Sequence, residues 1–231
     1  MNIIKVKAVI FDMDGVITNS MPEHFRAWKK IFSDEGISVT HLDVYAREGQ
    51  PGKNTVRELF EEYGKTYTPD IAKAILEKKE RLFKTMVRQR FIPGARRFLK
   101  GLAKKGFTLA LVTGTSRHEA KRILPGHIWK LFSVIITGDD VRRGKPFPEP
   151  FLKSLNKLCL KPHEAIVIEN APFGIESAKR AGLKCIALAT SLPKSYLKDA
   201  DLVFPSFKEL RKKVAFATES GTSIHPIGLG V

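Results

Sequence analysis

The sequence predicts an α/β protein: a parallel sheet with helices on both faces, interrupted near its start by a helical insertion. Three observations predict this. From residue 107 onward, short apolar runs alternate with helical stretches, the pattern of strands buried on both faces. A run of the same kind, Val6 to Phe11, lies near the start of the sequence and leads into Asp12-Met13-Asp14-Gly15. Between these two regions, residues 18–90 carry amphipathic helical spacing and no strand-like run.

The elements follow in order. Val6–Phe11 is rich in β-branched residues and stops at a turn glycine, so it reads as a buried strand. Phe25, Trp28, Ile31 and Phe32 mark the apolar stripe of the first inserted helix. Thr55 to Tyr63 and Pro69 to about Arg88 mark two more. Pro93-Gly94 closes the insertion and starts a new helix. Strands are then expected at 107–113, 133–137, 165–169, 183–188 and 201–204. Helices are expected from about Arg117, over Glu149–Leu158 and over Gly174–Ala181. This predicts a Rossmann-like core of residues 1–17 and 92–215, an inserted small α-helical cap of residues 18–91, and a loosely ordered tail over 216–231. Two closely spaced connections, 17–20 and 91–94, would let the insertion act as a lid.

Composition narrows the function. The chain has 40 Lys+Arg against 24 Asp+Glu, a net charge of +16. The basic residues are dispersed, without aromatic interleaving or a nucleic-acid motif, so the expectation is no nucleic-acid partner and a surface that attracts small anions. No apolar run is long enough for a membrane span. The segment MNIIKVK is too short and lysine-rich for a secretory signal, so the expected location is cytoplasmic, as a monomer or simple homodimer. Cys159 and Cys185 sit in apolar contexts and read as buried free thiols.

Chemistry concentrates where strands end. Carboxylates at the carboxyl edge of an open α/β sheet face the ligand crevice. Asp12 and Asp14 lie there without a neighbouring cation in sequence, so they repel each other unless a metal ion or proton intervenes. Thr113-Gly114-Thr115 ends another strand and offers a hydroxyl and free amides to phosphate oxygens. Lys145 is fixed between Gly144 and Pro146. Glu169-Asn170 ends the strand AIVIE.

With these residues in place, the sequence resembles the haloacid dehalogenase-like phosphohydrolases over nearly its whole length. DMDGVITNS, VTGTS, GKPFPEPF and VIENAPFGIESAKRAG are similar to that family's four motifs. The insertion resembles the small cap of the β-phosphoglucomutase-like branch, and MPEHFRAW, REGQPGKNT and ENAPFG resemble a bacterial inorganic pyrophosphatase of that branch. The resemblance implies that Asp12 is a nucleophile forming an aspartyl-phosphate and that Asp14 is the acid and base. It implies that Thr113, Gly114 and Lys145 hold phosphoryl oxygens. It also implies a Mg2+ ion on Asp12, the Asp14 carbonyl and the acidic end of the fourth motif, Glu169 and Asn170. Relatives commonly carry aspartate where this chain has Asn170, which removes one negative charge.

The cap supplies further candidates. His24 precedes the apolar stripe of the first cap helix. The loop 47–55 looks like the family's specificity loop and would bring Glu48, Gly49, Gln50 and Lys53 over the phosphate; its bland alternative is a helix connector. Lys79 falls on the apolar stripe of the third cap helix, so it either snorkels to an edge or points into the inter-domain cleft, and the family pattern favours the cleft. His41, His118, His127, His163 and His225 form no constellation. The expected activity is a Mg-dependent phosphohydrolase acting on a small phosphorylated metabolite or inorganic pyrophosphate. A sugar-phosphate mutase is the rival enzyme, and a phosphate-binding module the non-enzymatic one.

Overall fold

The fold is that of a computed structural model describing residues 2–218. Strands β1 (Asn2–Lys5) and β2 (Ala8–Phe11) lead into four helices, α1 (Met21–Asp34), α2 (His41–Tyr45), α3 (Gly52–Glu62) and α4 (Pro69–Met86). Then follow α5 (Ala95–Lys104), β3 (Thr108–Val112), α6 (Arg117–Ile123), α7 (Gly126–Trp129), β4 (Val134–Ile136), α8 (Glu149–Leu158) and β5 (Ala165–Glu169). The chain continues through α9 (Pro172–Arg180), β6 (Lys184–Leu188), β7 (Leu202–Phe204), α10 (Phe207–Lys213) and β8 (Val214–Ala217).

Six strands form one parallel sheet in the order β4-β3-β2-β5-β6-β7. The chain leaves β2 toward β3 and β4, then returns to the other side of β2 to add β5, β6 and β7. The reversal falls between β2 and β5, where an open α/β sheet leaves a crevice at its carboxyl edge. Alternation along each strand splits the interior in two. Val9, Phe11, Leu109, Leu111, Ile166 and Ile168 pack on one face with residues of α5, α6 and α10. Ala8, Ile10, Ala110, Val112 and Val167 pack on the other with residues of α8 and α9.

Helices α1–α4 bury a core of their own, in which Trp28 and Phe32 stack at 5.0 Å. Phe83 of α4 instead joins the main core. The two connections to this layer run side by side, tied by Ile92 N to Ile17 O (3.0 Å) and Asn19 N to Arg90 O (3.0 Å).

Three expectations change. Residues 214–217 form β8, which pairs in parallel with the unforeseen strand β1. The expected tail therefore does not begin at 216, because Phe216 is needed to cover Phe98 and Phe107. The rest of that tail, 219–231 with His225, lies outside the described residues. Cys159 is exposed, not buried, because it ends α8 in the left-handed conformation (φ 54°) at the surface; Cys185 is buried. Among the described residues no helix is long and apolar enough to cross a membrane.

Phe98 meets Phe11, Phe207 and Phe216 at 6.1, 4.9 and 5.8 Å between ring centroids. Phe98→Ala should therefore cost about 3–5 kcal/mol through lost burial and the cavity left behind. Urea unfolding followed by circular dichroism should show this as a lower midpoint with an unchanged slope.

Candidate active site

Asp12 follows the last residue of β2, and its backbone amide is tied to Ile168 O of β5 (3.0 Å), so the carboxylate stands at the sheet's reversal point. Lys145, 2% exposed, reaches it from the loop after β4. Its ammonium donates to Asp12 Oδ1 (2.7 Å), Glu169 Oε1 (2.6 Å) and Val112 O (3.3 Å). Burial alone would strip the lysine's proton, but Asp12 and Glu169 hold it charged and raise its pKa. Burial also pushes the Asp12 carboxyl well up; Lys145 opposes this, while Glu169 and Asp14 add to it. One ammonium does not balance the carboxylates gathered here.

Glu169 is fully committed. Its Oε2 accepts from the amides of Asn170 (2.7 Å) and Ala171 (3.2 Å), just before α9. A side chain at position 174 cannot coexist with it, since a Cβ on Gly174 would sit 1.8 Å from Oε1. Asn170 is placed differently. Its Nδ2 donates to Ser191 Oγ (3.1 Å), and its buried Oδ1 has no hydrogen-bond partner. An orphaned buried oxygen is costly. At a strand end adjacent to the one that carries Asp12, it suits a hard cation such as magnesium, which binds one or two carboxylates and keeps its waters. Asp12, the Asn170 amide oxygen and the neighbouring Asp14 carbonyl therefore fit such an ion. Glu169 acts instead by holding Lys145. Among the described residues no three His, Cys, Asp or Glu side chains form a ready cage.

Asp14 turns toward the helical layer. Ser20 Oγ donates a short hydrogen bond to Oδ1, Thr115 Oγ1 donates to Oδ2 (2.9 Å), and Thr113 Oγ1 lies at 3.5 Å. His24 Nε2 is 3.5 Å from Oδ1. Burial works against ionisation, but His24, Ser20 and Thr115 outweigh it and lower the pKa to about 2. His24 is stacked on Phe83 (4.1 Å), and the Lys79 ammonium approaches its Nδ1 at 3.1 Å. An ammonium can only donate, so Nδ1 accepts and Nε2 carries the proton aimed at Asp14. Lys79 also lies over the rings of Phe83 and Trp28. Burial lowers its pKa, against the pull of Glu48.

His24, Glu48, Gly49, Gln50, Lys79, Gly114 and Thr115 line one cavity. Glu48 is half-buried there, without an ion pair among the described residues, and burial raises its pKa. The structure separates Lys53 from this group; it lines a second cavity on the other side of the loop. Gln50 is partly engaged within the helical layer, donating to Thr55 (3.1 Å) and Glu58 (3.3 Å). Three contributors escaped sequence reading. Ser20 and Gly174 lie inside motifs that were visible, but their roles depend on distance. Ser191 carries no sequence signal, since only the fold brings the loop after β6 to Asn170.

Asp14 titrates near 2 against an ordinary 3.8. A depressed carboxylate adds stability above its unfolded pKa and loses it as pH falls through the folded value. In metal-free protein, the stability difference between wild type and Asp14→Asn should shrink by about 2 kcal/mol as pH falls from 5 toward 2. Urea titrations of both proteins across that range measure it.

Comparison with known proteins identifies the family. The family model described as haloacid dehalogenase-like hydrolase matches residues 9–188. A phosphorylated carbohydrates phosphatase of Thermotoga maritima is 34% identical over 188 residues, covering 78% of this chain and 84% of the relative. The validoxylamine A 7'-phosphate phosphatase of Streptomyces hygroscopicus subsp. limoneus is 30% identical, covering 89% of this chain and 96% of that protein. The solved β-phosphoglucomutase of Clostridium difficile superimposes with a TM-score of 0.78 at 24% identity, covering 90% and 96% of the two chains, a likeness of fold. Four strand-end motifs, a buried lysine between two carboxylates and a family match spanning most of the sheet converge: the chain belongs to the haloacid dehalogenase-like hydrolases.

Proposed function

We propose that the protein is a magnesium-dependent phosphohydrolase that cleaves a small phosphomonoester through an aspartyl-phosphate on Asp12. The observation that carries this reading is the pairing of Asp12 with a buried lysine at the sheet's reversal point, with Asp14 two residues away and hydrogen-bonded to the opposite strand end. Asp12 attacks phosphorus in line, forming an O–P bond as the ester O–P bond breaks. Thr113, the Gly114 backbone and Lys145 hold the transferring oxygens and limit repulsion between carboxylate and phosphate. Asp12, the Asp14 carbonyl and Asn170 would hold a magnesium ion, which when bound would supply further charge neutralisation.

Asp14 gives a proton to the departing oxygen, then takes one from the water that hydrolyses the acyl phosphate. In the arrangement described it is a carboxylate. That state suits the second step. The first step requires Asp14 to loosen its bonds to Ser20 and His24, which raises its pKa. Both partners belong to the cap side of the hinge, so lid movement and protonation of Asp14 are coupled.

Glu48, Glu80 and Glu119 share the leaving-group cavity with Trp28, His24 and Lys79. Its carboxylates disfavour a second phosphate, while its polar groups and indole suit an uncharged hydroxylated leaving group. The relatives named for phosphorylated carbohydrates and validoxylamine A 7'-phosphate support this choice. Pyrophosphate is the second reading, because the Glu48 carboxylate, near enough to Asp14 and Lys145 to feel their charge, would add an oxygen beside a diphosphate.

A release assay with sugar phosphates, polyol phosphates and pyrophosphate, with magnesium and with chelator, tests the reading. Asp12→Asn should abolish turnover while keeping the wild-type melting temperature, and Asp14→Asn should lose about 10²–10⁴-fold. Conversion of β-glucose 1-phosphate to glucose 6-phosphate without free phosphate would make the protein a mutase. Glu48→Ala and Lys79→Ala should each slow turnover without unfolding the protein; if only pyrophosphate hydrolysis depends on Glu48, the second reading replaces the first.

A further inference from the structure

The loop from Glu48 to Gly52 divides the space above the sheet edge into two chambers. Gly49 rests on the floor between them, with its carbonyl oxygen 3.7 Å from where a Cβ on Gly114 would lie. The first chamber, about 200 Å3, contains His24, Glu48, Glu119 and Thr115. Asp14 bonds to Thr115 and faces His24 from below. An oxygen protonated by Asp14 must lie on that side, so the leaving group occupies the first chamber.

The second chamber, about 290 Å3, shares Thr113, Gly114 and Lys145 with the phosphoryl site but touches neither Asp14 nor His24. Its lining contains no carboxylate. Lys53 and Arg142 stand at its rim, both exposed and without an ion pair among the described residues. The acids nearest Arg142 in sequence are engaged elsewhere: Asp139 and Asp140 accept from Arg117 and Thr137, and Glu149 accepts from the backbone amides of Arg142 and Arg143. Gly138, Gly144 and Gly52 contribute only backbone to the chamber's lining.

We propose that this second chamber is an anion site and exit for inorganic phosphate, with Lys53 and Arg142 drawing the product away from Thr113 and Lys145. The proposal rests on the phosphohydrolase reading for the origin of the phosphate. The alcohol and the phosphate then leave on opposite sides of one loop. The dianion has reason to choose the second side: the first sets Glu48, Glu80 and Glu119 against Lys79 and an Arg47 already paired with Glu58 and Glu62, whereas the charged residues lining the second are all cations.

Two measurements test this on the full chain with magnesium. The first compares, in Val141→Trp, phosphate formed (acid quench) with phosphate free in solution (a fluorescent phosphate sensor). Val141 lines the chamber but none of the phosphoryl site. In a single turnover, with enzyme in excess over ester, formation should keep its wild-type rate while appearance in solution lags about tenfold. Superimposed curves, or a raised KM for the ester, would overturn the proposal. The second titrates inorganic phosphate calorimetrically against Arg142→Glu, with Arg143→Glu as control. Arg143 is adjacent and exposed, but its guanidinium lies over Phe147 (4.8 Å), outside the lining. Arg142→Glu should weaken binding about tenfold, close to 1.4 kcal/mol, and the control should leave it unchanged. Equal effects of the two reversals would reduce the chamber to general surface charge and refute it. If no ester is hydrolysed, the phosphohydrolase reading fails by itself, and the titration still decides whether the chamber binds phosphate.

Discussion

The buried Lys145 ammonium, held between Asp12 and Glu169, is the interaction on which the rest of the site depends. A lysine so buried is tolerable only because two carboxylates and a carbonyl satisfy its charge and its donors. That requirement propagates outward. Glu169 must be oriented, so the amides before α9 hold its second oxygen, and position 174 must lack a side chain to leave room. The loop after β4 must deliver the lysine from the far side of β3, which fixes where the third motif falls. Removing any of these would leave a buried charge unpaired, a much larger penalty than the loss of one hydrogen bond.

Electrostatics then divide labour between two aspartates that are neighbours in sequence. Asp12 sits among carboxylates, where burial and like charge press its pKa upward and a cation is welcome. Asp14, two residues on, sits among donors that hold it ionised. The backbone between them turns through Gly15, whose left-handed conformation (φ +84°) and contact with Asn170 leave no space for a Cβ. One short turn thereby aims one carboxylate at the sheet edge and the other at the lid.

The helical layer gives the site its asymmetry. Its helices bury their own core, yet Phe83 is anchored in the main one and carries His24 on its ring. The loop before α3 reaches down to Lys145 through Gly49. That contact parts an acidic, aromatic chamber from a basic, glycine-lined one. The division follows from where one loop touches the floor, and the composition of that loop does not announce it.

The sequence by itself determined the α/β class, the six main strands, the helical insertion and the placing of Asp12, Asp14, Thr113, Lys145 and Asn170 at or beyond strand ends. Apolar runs and turn residues are local signals, and chemistry confined to strand ends is visible wherever strands are visible. Tertiary structure decided what depends on distances across the chain. It paired β1 with β8, because a two-stranded edge has no local mark beyond a few apolar residues. It gave Glu169 to Lys145 and left Asn170 Oδ1 open, a distinction between adjacent residues that only their partners make. It turned Lys79 to His24 and set Lys53 on the opposite side of the loop. Helical periodicity shows which residues share a face; what that face meets depends on elements brought together from far along the chain.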